Sequence, residues 1–93
     1  MTIRDFVKKG ITVVNDMGEL KEVRNDLRYT SIPFPNGWAA SVIHEPEGYS
    51  VATCDYNGYF NWNILKPFGA EEGKFQCETE EEVCKALAII ESL

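Results

Sequence analysis

Between Asn36 and Leu65 the apolar and polar positions sort alternately onto two faces, and the segment reads as three antiparallel strands. Trp38 to His44 is the first; Glu45-Pro46-Glu47-Gly48 turns it into Tyr49 to Asp55, and Tyr56-Asn57-Gly58-Tyr59 turns that into a third strand ending near Leu65. Asn-Gly between alternating apolar residues predicts a two-residue type I′ turn, which needs positive φ at both central positions. With that loop Asp55 faces Phe60, Thr53 faces Trp62 and Val51 faces Ile64. A four-residue first loop sets Val42 against Val51 and Ala40 against Thr53. The predicted core face is then Trp38, Ala40, Val42, Val51, Thr53, Phe60, Trp62 and Ile64. The reverse face is small and polar: Ala39, Ser41, Ile43, Ser50, Ala52, Cys54, Tyr56, Tyr59, Asn61, Asn63 and Leu65.

Helical periods flank this sheet. Thr2 can cap a helix from Ile3, with Asp5 in its first turn. Its apolar side continues from Ile3, Phe6 and Val7 through Val13 or Val14, Met17, Leu20 and Leu27, which favours one helix to about Arg28. Gly10, Gly18 and the β-branched run Ile11-Thr12-Val13-Val14 support the alternative, a helix ending near Gly10 and a hairpin turning at Asn15-Asp16-Met17-Gly18. Pro33 and Pro35 make residues 29–37 an extended connector. Lys66 to Gly73 reads as a loop, with Phe68 an anchor, and Lys74 to Cys77 as a short fourth strand or an extended lead-in. Thr79 with Glu82 is a capping box, and Val83, Ala86, Leu87 and Ile90 form the buried stripe of a helix over residues 79–92, with Cys84 and Ala88 at its edge. The expectation is a single α+β domain over residues 1–93: an N-terminal helical segment (1–28), the connector, a three- to four-stranded antiparallel meander (38–77) and a C-terminal helix.

Composition narrows the class. At 93 residues, 44% hydrophobic and 26% charged, the chain suits one globular core. No apolar run approaches the roughly 18 residues of a membrane span, and the N-terminus has no signal-peptide pattern, so a soluble, cytoplasmic protein is expected. Cys54, Cys77 and Cys84 are odd in number and lack C-x-x-C spacing; they read as free thiols in a reducing compartment. A zinc site would need all three to converge with His44, and their spacing gives no sign of it.

Charge is uneven. Residues 1–28 carry six basic against five acidic side chains, net +1; residues 29–93 carry three against ten, net −7, and the two sum to the −6 of the whole chain. A nucleic-acid backbone would be repelled by the second part, whereas basic protein surfaces would be attracted.

Candidate chemistry is sparse. His44 lies at a strand end beside Glu45 and Glu47 without a nucleophile or orienting partner, which favours a structural role over general-base work. Ser41 and Thr53 lack a G-x-S-x-G setting, and the glycines form neither a dinucleotide fingerprint nor a P-loop. No catalytic residue, metal ligand or cofactor site is predicted. The acidic group Glu71, Glu72, Glu78, Glu80, Glu81 and Glu82 has two readings: a solvated helix start that caps the dipole, or a patch that docks on a basic surface. Tyr56 and Tyr59 at the hairpin tip, with Asn61 beside them, offer a second contact patch unless the N-terminal helix covers that face.

The run Phe34-Pro35-Asn36-Gly37-Trp38-Ala39-Ala40-Ser41-Val42, followed by Tyr49-Ser50-Val51-Ala52, Asn57-Gly58 and the Thr79-Glu80-Glu81-Glu82-Val83 helix start, resembles a layout recurrent among small uncharacterised bacteriophage and prophage proteins. The resemblance covers about two thirds of the chain, from Phe34 onward. It brings no catalytic residues. What it implies is a phage or prophage origin and a short host-directed or regulatory job. The expected function is protein–protein binding that inhibits or modulates a host complex, such as a nucleic-acid-targeting defence system. The alternative is a homo-oligomeric accessory module, self-associating across Ala39, Ser41, Ala52 and Cys54.

Overall fold

The computed structural model describes residues 1–93. Thr2 opens α1 (Ile3–Val7), and Asp5 completes a capping box by accepting the Thr2 N–H at 2.7 Å. That backbone hydrogen bond holds the Asp5 carboxyl below its ordinary pKa. A helix to Arg28 does not form, which corrects the reading of residues 1–28 as a helical segment. The chain leaves helical geometry at Gly10, where a Cβ would lie 2.2 Å from the Val23 side chain. Ile11 then donates its N–H to the Pro33 carbonyl at 2.9 Å. β1 (Val13–Val14) and β2 (Leu20–Lys21) pair as a hairpin, and the Asn15 side chain fixes the turn by accepting the Met17 and Glu19 N–H groups at 3.0 and 2.9 Å. The heptad-like stripe was no core stripe, since Met17, Leu20 and Leu27 are all exposed.

Residues 29–37 are not a free connector either. β3 (Arg24–Asn25) and β5 (Trp38–Glu45) flank β4 (Tyr29–Pro33) and pair with it on both sides. Pro33 is tolerated because it is the last residue of β4, where one missing N–H costs the ladder little. β6 (Gly48–Asp55) and β7 (Lys74–Cys77) complete a five-stranded antiparallel meander in the order β3-β4-β5-β6-β7, with β1 and β2 apart. The chain is thus α+β as expected, but with seven strands in two sheets in place of three or four in one. The β5–β6 register holds: Val42 faces Val51 and Ala40 faces Thr53, across a tighter loop in which Glu45 pairs with Gly48.

The strand after β6 departs from expectation. Asp55 N–H donates to the Tyr59 carbonyl at 3.0 Å and Cys54 bridges to Phe60, so the loop holds three residues, Tyr56, Asn57 and Gly58. Gly58 has φ +88° while Asn57 is not among the residues of positive φ, the conformation of a type I turn closed by a glycine bulge and not of a type I′ turn. One extra loop residue moves every following side chain to the other face. Phe60 therefore joins Cys54 on the reverse face, and both Phe60 and Trp62, expected in the core, are exposed and stacked at 5.0 Å between ring centroids. Pairing stops near Asn61, whose N–H donates to the Thr53 carbonyl, and residues 62–73 loop out through a 3-10 turn at Lys66–Phe68. β7 returns to take the rest of the β6 edge, Tyr49 facing Cys77 and Ala52 facing Lys74. Phe68 stays exposed, and Leu65 anchors the loop instead.

α2 (Glu80–Glu91) forms where its capping box and apolar stripe place it, with Val83, Cys84, Ala86, Leu87 and Ile90 buried. These residues meet Phe6 of α1, Ile32, Phe34, Ala40, Val42, Val51 and Leu65 in one core. Both helices lie on the same side of the sheet, so the fold has two layers. On the other side no helix covers the sheet; the β1–β2 hairpin flanks it through Lys21 and Glu22, near Ala39, Cys54 and Phe60. No helix is long and apolar enough to cross a membrane.

Candidate functional site

The acidic group of the sequence is divided by β7. Glu78, Glu80, Glu81 and Glu82 lie at its C-terminal end, Glu71 and Glu72 at its start, roughly 13 Å of strand apart. At the first end Thr79 caps α2 by accepting the Glu82 N–H at 3.2 Å, while Glu82 reaches back past the cap to accept the Glu78 N–H at 3.2 Å, so the second half of the expected capping box is displaced by one residue. Glu80 accepts the Ile3 N–H at 2.8 Å and so ties the N-terminus to α2. The β5–β6 turn brings two further carboxylates to this end: Glu45 and Glu47 line one shallow hollow with Glu78, Gly48 and Gln76. Glu45 accepts the Ser50 hydroxyl at 3.1 Å. The molecule's only ion pairs are Lys9–Glu91 and Arg24–Asp26, so none of these six glutamates is in an ion pair. The turn glutamates escaped the sequence reading because only strand pairing, remote in sequence, sets them beside Glu78.

The tyrosines separate in role. Tyr56 is half-buried; its hydroxyl donates to the Phe34 carbonyl and accepts the Gly37 N–H at 3.0 Å, tying the β6 hairpin to the β4–β5 turn. Tyr59 is 74% exposed. The Asn61 side chain accepts the Asn63 and Ile64 N–H groups, both at 3.0 Å, and so shapes the loop that leaves the sheet. Tyr59 and the Glu78 end lie at opposite ends of β6, eight residues or roughly 25 Å apart. They are two surfaces, not one.

Ala39, Ser41, Ala52 and Cys54 do not make a bare self-association face. All four are buried, with taller reverse-face residues set around them by register: Ile43 beside Ser41, Lys74 across from Ala52, Phe60 across from Cys54. The three cysteines are free and buried. Burial, reinforced by Asp55, pushes the Cys54 thiol up to about 11; burial also raises Cys77 and Cys84. Each is therefore a thiol at neutral pH and a poor nucleophile. His44 stacks on Tyr49, ring centroids 4.4 Å apart, and the His44 backbone N–H donates to the Arg28 carbonyl at 2.9 Å. That end of the sheet borders a cleft of about 200 Å³, lined by Arg4, Arg28, His44, Tyr49 and Glu80 among others. The volume is below the roughly 300–1,000 Å³ of small-molecule sites. No three of the His, Cys, Asp and Glu side chains gather as metal ligands.

No protein-family model, curated protein or solved structure matches the chain. The functional reading therefore rests on the molecule's own surfaces.

Proposed function

We propose that the protein works by binding, docking its Glu45, Glu47, Glu78 and Glu80–Glu82 end on a basic surface of another protein. A basic surface that ordinarily holds nucleic acid is the fitting target, because clustered carboxylates present to lysines and arginines the charge that phosphates do. Occupying it would inhibit or modulate a nucleic-acid-handling host complex, such as a defence nuclease, in the host cytoplasm. The reading assigns no catalytic residue and no cofactor. One observation carries it: the β5–β6 turn sets Glu45 and Glu47 in one hollow with Glu78, next to the Glu80–Glu82 start of α2, and none of these carboxylates is in an ion pair. Like charges gathered at one end repel one another, and a partner of opposite charge relieves that repulsion while steering association.

The test is capture from bacterial lysate on the immobilised protein at low and at high salt, beside a Glu47→Lys, Glu78→Lys, Glu81→Lys variant. These three side chains make no hydrogen bond within the fold, so the variant keeps its structure. A nucleic-acid-handling complex held at low salt, released at high salt and lost with the variant is the expected result. Capture that the variant retains at full strength would rule out the acidic end.

A further inference from the structure

No helix covers the reverse face of the sheet, and the β1–β2 arm lies against one part of it. The arm leaves the sheet at Ile11, which is bonded to Pro33 at the end of β4, and returns through Glu22 to Val23, which packs on the core. Between these roots it is a body of its own. Val13 pairs with Lys21 and Val14 with Leu20. Asn15 is buried at the turn, where its side chain accepts the Met17 and Glu19 N–H groups and donates to the Glu19 carboxylate at 3.0 Å. Alternation gives the arm two sides: Val13 and Lys21 are half-buried, whereas Val14 and Leu20 are 62% and 59% exposed. Lys21 and Glu22 line a hollow of about 170 Å³ with Ser31, Ala39, Cys54 and Phe60 of the reverse face. Burial and Asp55 raise the Cys54 pKa, and Lys21 lies near enough to oppose them. Cys54 is thus buried at the arm's inner side, apart from the hydrophobic core that holds Cys77 and Cys84. The arm's tip is tied to the β6 hairpin: the Asp16 backbone N–H donates to the Asn57 side-chain oxygen at 3.1 Å, and the Asn57 amide donates back to the Asp16 carboxylate at 3.0 Å.

We infer that the β1–β2 arm is a hinged strap over this hollow, latched by Asp16 and Asn57, which opens while the rest of the domain stays folded. The arm's turn bonds are internal to it, so they survive opening and the arm moves as a unit. Its strands are two residues long and its outer side chains bury nothing, so opening exposes little apolar surface. The latch is two exposed hydrogen bonds, whose partners water can satisfy once they part. The hinges fall where the arm meets its fixed roots, at Ile11 and at Glu22 before Val23. Closed, the strap withholds the hollow; open, it presents a floor of small side chains beside Tyr29, Tyr56 and Phe60. The device is independent of whether the acidic end binds anything.

Alkylation of the native protein by iodoacetamide, with each labelled cysteine located by peptide mass spectrometry, tests it. Cys54 reports on the strap, and Cys77 and Cys84 on the other side of the sheet are internal controls. Asn57→Ala removes both latch bonds and should speed Cys54 labelling about tenfold, with Cys77 and Cys84 unchanged. Should that variant fail to fold, Asp16→Ala removes only the carboxylate bond and should speed Cys54 about threefold. In the parent protein the Cys54 rate should be nearly flat in low urea, because a strap opening exposes little surface. A Cys54 rate unchanged by the latch variants overturns the proposal. So does an equal acceleration at all three cysteines, or a parent Cys54 rate that climbs with urea as steeply as global unfolding.

Discussion

Thr53 carries a fully buried hydroxyl with no hydrogen-bond partner, on the core face of β6 opposite Ala40. A buried polar atom left unpaired costs on the order of 1–3 kcal/mol, more than a methyl in its place. Thr53→Val is therefore expected to stabilise the protein by about 1 kcal/mol in urea unfolding. A loss of that size instead would mean that the hydroxyl is bonded. Alternation along β6 places Thr53 on the core face, where it lies, but carries no information on whether a hydroxyl finds an acceptor. Tyr56 shows the same limit. Its place at the hairpin tip was legible, yet its hydroxyl is committed to Phe34 and Gly37, residues some twenty positions away in the chain. A tyrosine free for a partner and one spent on the fold look alike in the sequence.

Among the elements, α2 was the most legible because its signals are local: a cap, acidic residues in the first turn and an apolar stripe within twelve residues. Its C-terminal end was not. There Asn36, from the β4–β5 turn, donates to the Ile90, Glu91 and Leu93 carbonyls at 2.8, 3.1 and 3.3 Å while accepting the Trp38 N–H. One side chain thus joins sheet and helix. Asn36→Ala should cost about 1–2 kcal/mol of stability. Asn36→Asp keeps the Trp38 contact but turns a carboxylate to the negative end of the helix dipole, and should cost at least as much. An Asp variant as stable as the parent in thermal unfolding would show that these carbonyl contacts contribute nothing. The β6 hairpin is the instructive miss. Asn57-Gly58 marks the turn, but the loop length is set by Asp55, whose carboxylate accepts both the Asn57 and Tyr59 N–H groups, and by Asp16, which engages Asn57 from forty-one residues away. With the loop one residue longer, Phe60 and Trp62 change faces.

At the scale of the whole molecule, a net charge of −6 meets only two ion pairs, both on the surface. Carboxylates gathered at one end repel one another, so the fold carries a self-repulsion that salt screens. Raising ionic strength from about 10 mM to 0.15 M shortens the Debye length from roughly 30 to 8 Å. The thermal midpoint, measured by calorimetry at a monomeric concentration, should then rise by several degrees, on the order of 1 kcal/mol. A flat or falling midpoint would mean that the basic side chains already balance the field at a distance. The α+β class, the β5–β6 register, the C-terminal helix and the excess of acid are legible in the chain alone, because alternation, capping and composition act within a few residues. The assembled fold is what makes the N-terminal segment turn back as a hairpin, sets both helices on one face and brings Glu45 and Glu47 to Glu78. It alone also turned the aromatic residues after β6 to solvent. Each of these depends on contacts between residues distant in the chain, whose free energy overrides a local period that is satisfied equally well by a helix or a strand.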